Sequence, residues 1–141
     1  MSLQNPKKKM SKTDDPRGCL ELFEEPEEIK KKIVAAVTDP GKVIKYSDSK
    51  PGISNLLTIY SLFSGKSIPE LERNFKGKGY EEFKKSLIKL LINSLEPFRR
   101  KRKELLSREV YVKEILNAGA KRAKTIAQLT LEETKKKMGL T

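Results

Sequence analysis

Tyr80-Glu81-Glu82-Phe83-Lys84-Lys85-Ser86-Leu87-Ile88-Lys89-Leu90-Leu91-Ile92-Asn93-Ser94-Leu95-Glu96-Pro97-Phe98 is the stretch that decides the fold. Tyr80, Phe83, Leu87, Leu90, Leu91, Leu95 and Phe98 recur at spacings of three and four, which aligns them on one face of a helix. Acidic Glu81 and Glu82 suit its N-terminal dipole. The pattern predicts the longest helix of the chain, from about Glu81 to Leu106. Pro97 lies inside it. An interior proline removes one backbone hydrogen bond at a cost of about 3 kcal/mol, so a kink is expected there.

Working outward, the same periodicity recurs on both sides. Upstream, Ser67-Ile68-Pro69-Glu70 has the spacing of a capping box, followed by Ile68, Leu71 and Phe75 on a short helix. Before it, Leu56, Leu57, Ile59, Tyr60, Leu62 and Phe63 form a helix starting after Gly52 or Ser54. It is apolar on most sides, as a central helix is. Pro26 opens a further helix with Ile29, Ile33, Ala36 and Val37 as its stripe and Lys30, Lys31 and Lys32 on the outer face. Thr38-Asp39-Pro40-Gly41 stops it. Downstream, Val110–Leu116 reads as one helix and Ala120–Met138 as another, with Gly119 as a break or weak point and Gly139 as the stop. Val43–Tyr46 is extended or irregular. Residues 1–19 lack periodicity, are rich in breakers and read as an exposed loop; Cys19–Phe23 alternates weakly and reads as a short extended piece. The expected fold is all-α: a helical bundle with an irregular N-terminal arm.

Composition narrows the chemistry. The 141 residues contain no His, one Cys (Cys19) and no Trp. Imidazole acid–base chemistry, a Ser-His-Asp triad, a His zinc site and an internal disulfide are thereby excluded, and no carboxylate spacing singles out a metal site. Lys and Arg number 31 against 19 Asp and Glu, a net charge of +12. Such a chain favours polyanions. No apolar run approaches the ~20 residues of a membrane span, so no membrane role and a cytoplasmic location are expected.

The first candidate site is Lys9-Met10-Ser11-Lys12-Thr13, flanked by Lys7, Lys8 and Asp14. Two lysines three apart on a turn-rich loop can converge on one polyphosphate, with the Ser11 and Thr13 hydroxyls adding hydrogen bonds. By themselves these five residues describe a solvated basic tail before they describe a site.

The flanks alter that weighting. Leu3 to Asp14 resembles the KMSKS signature loop of class I aminoacyl-tRNA synthetases. Ala35–Asp39, Lys50–Leu57, Gly65–Glu72 and Gly77–Tyr80 with Phe83-Lys84 follow in the order found in the tryptophanyl-tRNA synthetase family. The resemblance runs from about Leu3 to Leu140. It implies a C-terminal fragment: residues 1–25 as the signature loop and edge of a catalytic Rossmann domain, residues 26–141 as the anticodon-binding helical domain. Family members place the ATP- and tryptophan-binding domain, with its HIGH-type histidines, ahead of this loop. The implied reaction in the intact enzyme is activation of tryptophan by ATP, taken as its Mg2+ complex, then transfer to tRNA(Trp). The fragment alone is expected to be inactive and the intact enzyme to be a homodimer. Lys9 and Lys12 are the implied catalytic residues, stabilising the pyrophosphate leaving group, with Lys12 foremost. Lys9, Met10, Ser11, Lys12 and Thr13 are the implied ATP contacts. Thr13 stands where the family usually has serine.

Candidate tRNA contacts come from charge and aromaticity. Arg99-Arg100-Lys101-Arg102-Lys103 points all around a helix, so it suits either phosphate binding or a solvated helix end. Lys121 and Arg122 are equally ambiguous, and Lys135-Lys136-Lys137 suits a helix C-terminus without any ligand. Among the aromatics Tyr80, between Gly79 and a helix start, is the best placed for base stacking, whereas Tyr60 reads as core. Glu21, Glu24, Glu25, Glu27 and Glu28 read as helix-start and solvent-face charges. Two alternatives stand beside the ligase reading: a stand-alone basic helical RNA- or DNA-binding module, and a helical scaffold made soluble by its charge.

Overall fold

The computed structural model describes residues 1–140, which fold into five α-helices, with no strand among the described residues. They are α1 (Pro26–Ala35), α2 (Pro51–Ser64), α3 (Ile68–Asn74), α4 (Tyr80–Leu106) and α5 (Glu109–Lys137), with a 3-10 turn at Pro16–Gly18. The chain forms two compact units, Met1–Arg100 and the part from Lys101 onward, with α4 running from the first into the second. The all-α expectation holds.

Among the described residues, all the buried ones lie in the first unit, from Ser2 to Arg99. Its centre is α2, seven of whose residues between Gly52 and Ile59 are buried. Phe83, Leu87 and Leu91 of α4 are fully buried in the same apolar cluster, on the stripe read from the sequence. An aromatic triad joins three elements: the Phe83 ring lies 4.9 Å from that of Phe75 and 5.6 Å from that of Tyr60. The Tyr60 hydroxyl is 3.0 Å from the Ser86 hydroxyl, which gives this ring's polar end a partner. Tyr60 is thus a core residue, as its helix suggested.

The N-terminus of α2 is capped from a distance. Asp39 accepts hydrogen bonds from Gly52 N (3.2 Å) and Ile53 N (2.9 Å). A carboxylate here meets two of the orphan donors and the positive helix end together. Gly52 is needed because a Cβ would lie 2.8 Å from the Val37 carbonyl oxygen. At the C-terminus of α1, the Lys84 ammonium donates to the carbonyls of Val34 (2.9 Å) and Ala36 (2.7 Å), a cation on a helix C-terminus. Burial pushes its pKa down.

Several expectations are corrected. The N-terminal arm is not an exposed loop at its start: Ser2 and Leu3 are each 1% exposed, and Leu3 belongs to the core. Leu3 N donates to Gly18 O and Val37 N to Leu3 O, both at 2.9 Å, so backbone pairing carries the side chain inward. Cys19–Phe23 forms no strand and turns at Leu22-Phe23. Ser67 is the N-cap of α3, but its side chain makes no capping bond. Helix α2 begins at Pro51, ahead of the expected start, because proline suits the first helical turn. Gly119 does not break α5, which is continuous over 29 residues. Alanines on both sides favour the helix, and a lone glycine costs only about 1 kcal/mol. Pro97 lies inside α4, as read from the sequence, and the helix continues past it to Leu106.

The second unit buries no residue of α5. Its ordered features are local: Lys113 pairs with Glu109 at 2.7 Å, and Arg108 stacks over the Tyr111 ring at 4.7 Å. Leu140 N returns to Lys135 O (2.9 Å) around Gly139, closing the helix end. The two units therefore predict opposite responses to truncation. Phe83→Ala should destabilise the fold by about 3–5 kcal/mol in urea unfolding, whereas Leu129→Ala on α5 should stay within about 0.5 kcal/mol.

Candidate functional site

The Lys9–Thr13 loop rests on a clasp built by Ser2, Asp15 and Gly18. The buried Ser2 hydroxyl donates to Asp15 Oδ2 (2.6 Å) and accepts from Gln4 N and Asn5 N, both at 3.1 Å. Asp15 Oδ1 in turn accepts from Gly18 N at 3.0 Å, the side chain capping the 3-10 turn. No side chain fits at Gly18: a Cβ there would lie 1.9 Å from Asp15 Oδ2 and 2.1 Å from Ser2 Oγ. Ser2 N also donates to Lys8 O at 2.8 Å, which closes the near limb of the loop. Asn55, on the central helix, donates from Nδ2 to the carbonyls of Met1 (3.2 Å) and Ser2 (3.0 Å). The base of the loop is thereby tied to the core.

Above the clasp the five residues divide by chemistry. Met10 is half-buried, packs against the core and lines a cleft of about 260 Å3 with Leu20, Ile59, Phe63 and Leu95. Ser11 holds the turn: its hydroxyl donates to Asp14 Oδ2 (2.7 Å) and accepts from Asp14 N (3.2 Å), and its carbonyl accepts from Asp15 N (3.1 Å). Thr13 Oγ1 is 3.4 Å from Ser11 Oγ. Lys9 is exposed and pairs with no carboxylate among the described residues. Lys12 is also exposed, but its Nζ lies 2.8 Å from Glu21 Oε2. The hydrogen bond to Glu21 and then its charge raise the pKa of Lys12; the hydrogen bond from Lys12 lowers that of Glu21. A raised lysine pKa stabilises the fold at pH below its ordinary value, and the gain is lost as pH rises through the shifted one. A lowered carboxylate pKa acts in the opposite sense, with its gain lost as pH falls. The pair is therefore charged on both sides throughout the neutral range.

The 19–25 segment that carries Glu21 is itself anchored. Glu24 and Lys32 form an ion pair with side chains 9% and 14% exposed, and Lys32 Nζ also donates to Cys19 O at 2.7 Å. Arg99, 5% exposed, donates to Glu24 O (3.2 Å), Ile92 O (2.9 Å) and Glu96 Oε2 (2.7 Å). Three readings change here. Lys32 turns inward instead of outward, Glu24 is not a solvent-face charge, and Arg99 is not part of a solvated cationic patch. Arginine can reach this position because its planar fork meets several carbonyls at once. Charge at a helix end gave no signal of that; an arginine one turn beyond an apolar stripe, facing the stripe's side, was the available clue.

The remaining tRNA candidates lie on both units. Tyr80 is half-buried and its hydroxyl donates to Val43 O at 3.3 Å, so its polar end is used within the protein. Arg100, Arg102, Lys121 and Arg122 are exposed, and Lys101 pairs with Glu104 at 2.9 Å. Among the described residues, no cluster of three His, Cys, Asp or Glu side chains could hold a metal ion. Nor is any helix long and apolar enough to cross a membrane.

Residues 1–96 match the family model of the class I tRNA synthetases for tryptophan and tyrosine. The chain belongs to this family. It is 46% identical to a tryptophan–tRNA ligase of Caldanaerobacter subterraneus and 44% identical to that of Bacillus anthracis, in each case over 99% of its own length and 43% of the relative's. The chain therefore spans less than half the length of these relatives. The crystal structure of tryptophanyl-tRNA synthetase from Mycoplasma pneumoniae superposes with a TM-score of 0.77 at 30% identity, covering 100% of this chain and 45% of that one. These matches do not favour a stand-alone basic module.

The clasp makes a specific prediction. Gly18→Ala must break the Ser2–Asp15 contact to fit its methyl group, so limited proteolysis should cut within residues 5–18 at least tenfold faster, a loss of about 1.4 kcal/mol of local protection.

Proposed function

We propose that this chain supplies the signature loop and tRNA-binding helices of a tryptophan–tRNA ligase. One observation carries the reading: Lys9 and Lys12 stand exposed on a loop whose base is locked to the core, in a chain that aligns along 99% of its length with enzymes of that name. In the intact enzyme the tryptophan carboxylate attacks the α-phosphorus of ATP. The bond to the β-phosphate breaks, and pyrophosphate leaves carrying the charge. The ammonium groups of Lys9 and Lys12 stabilise that charge as it develops, Lys12 foremost, and so act more on the transition state than on the ground state. Ser11 and Thr13 offer hydroxyls, and Met10 sets the loop against the core. ATP enters as its Mg2+ complex. The aminoacyl group then passes to tRNA(Trp).

The functional division lies near residue 25, with the arm before it edging the nucleotide site and the helices after it contacting the anticodon arm. Of the tRNA candidates, Arg100, Arg102, Lys121 and Arg122 offer exposed cations; Arg99 is better explained as the anchor of Glu24, and Tyr80 stacks only through its ring face. The same reading makes the intact enzyme a cytoplasmic homodimer, and the 141-residue chain alone inactive in ATP–pyrophosphate exchange.

Two measurements test this. In the complete ligase, Lys12→Ala should slow adenylate formation by about 2–4 kcal/mol with little change in tryptophan affinity; an unchanged rate removes Lys12 from the mechanism. If the helices neutralise about six tRNA phosphates, log K should fall against log salt with a slope near −5, and a flat response would favour a scaffold.

A further inference from the structure

The two loop lysines have the same chemistry but not the same surroundings. Lys9 pairs with no carboxylate among the described residues, whereas Lys12 is held at 2.8 Å by Glu21, nine residues on. Glu21 is not a loose surface charge. Its backbone N–H faces Glu24 Oε2 at 3.4 Å, and Glu24 is fixed by Lys32 through its carboxylate and by Arg99 through its carbonyl. A carboxylate carried on an anchored backbone thus meets an ammonium group on the loop, whose side chain is 73% exposed against 38% for Glu21. The anchored partner sets the geometry, and the lysine is the one able to leave.

We infer that Glu21 is a positioning residue that holds Lys12 in the resting loop, so that a triphosphate must take Lys12 from Glu21 before the leaving group can be stabilised. This rests on the reading of Lys12 given above. One ammonium group cannot serve the carboxylate and a polyphosphate fully at the same time, so the two compete for it. A binding-competent loop is then only part of the free population, and apparent efficiency falls by that fraction. Lys9, without such a partner, is ready for first contact with the anion, while Lys12 is released only to a ligand with enough charge to displace Glu21. The parked pair also keeps a flexible cation at a defined place beside the loop, which limits the entropy lost when it engages.

The size of the effect is set by the exposure of the pair. Exposed ion pairs change equilibria by up to about fivefold, and salt screens them. In the complete ligase, Glu21→Gln should raise kcat/KM for ATP in pyrophosphate exchange by about threefold at low salt. The KM for tryptophan should stay unchanged, the gain should vanish at high salt, and Glu21→Asp should give an intermediate value. The deciding arm is the double variant: in a Lys12→Ala background, Glu21→Gln should do nothing. An unchanged kcat/KM in Glu21→Gln, with Lys12→Ala still impaired, overturns the latch and leaves the ligase reading intact. An equal rise in both backgrounds also overturns it, because Glu21 would then be repelling ATP directly. Normal exchange in Lys12→Ala overturns the latch together with the role of Lys12.

Discussion

The arrangement depends on one buried junction, where the first residues of the chain are drawn into the core. Leu3 is buried among apolar side chains, the Ser2 hydroxyl bonds Asp15, and Asn55 reaches from the central helix to the carbonyls of Met1 and Ser2. An irregular segment has no ladder or helix to satisfy its backbone, so burying it requires side chains and neighbouring backbone to do so. Here they do: no buried side-chain polar atom among the described residues lacks a partner. A loop emerging from such a base has ends held by the core, while Lys9 and Lys12 at its crest stay exposed.

The same logic holds for the sequence blocks on which the resemblance to the tryptophanyl-tRNA synthetase family was read, several of which take part in contacts between segments distant in sequence. Asp39 belongs to one block and caps the helix that begins in the next, at Gly52 and Ile53. Gly52 is small because Val37, in the Asp39 block, passes close by. Glu72 accepts from Tyr46 N at 2.6 Å, and Lys84 covers the carbonyls at the end of α1. These contacts join residues that are distant in sequence. Such pairs hold irregular connections in place without adding secondary structure.

Charge is used in three distinct ways. Lys32 and Arg99 are drawn inward and spend their donors on Glu24 and on backbone carbonyls. Lys12 stays at the surface with one carboxylate partner. Arg100, Lys121 and Arg122 remain exposed to solvent. Net charge alone could not distinguish these uses, because burial and partnering, not residue type, decide what a cation is available for. An arginine inside the first unit also gives the 19–25 segment an anchor on α4, so the position of Glu21 follows from packing as well as from local turn geometry.

Much of the fold was legible in the residues themselves. The spacing of Phe83, Leu87 and Leu91 defined both a helix and its buried face, since apolar periodicity and burial are the same physical fact seen twice. The Lys9–Lys12 spacing and its ordered neighbours pointed to a family and a chemistry. Local rules failed where a contact was long-range. Nothing near Leu3 says that it is core, the stripe before Arg99 hints at its inward side but not at a carbonyl 75 residues away, and Gly119 looked like a break or weak point because its helical neighbours outweigh it only in sum. The amino-acid sequence by itself determined the helices, their apolar faces and the cationic loop, because these follow from residue spacing along one chain. Only the tertiary structure decided which charges are consumed in the interior and which are displayed, because desolvation depends on what packs around a group and not on what precedes it.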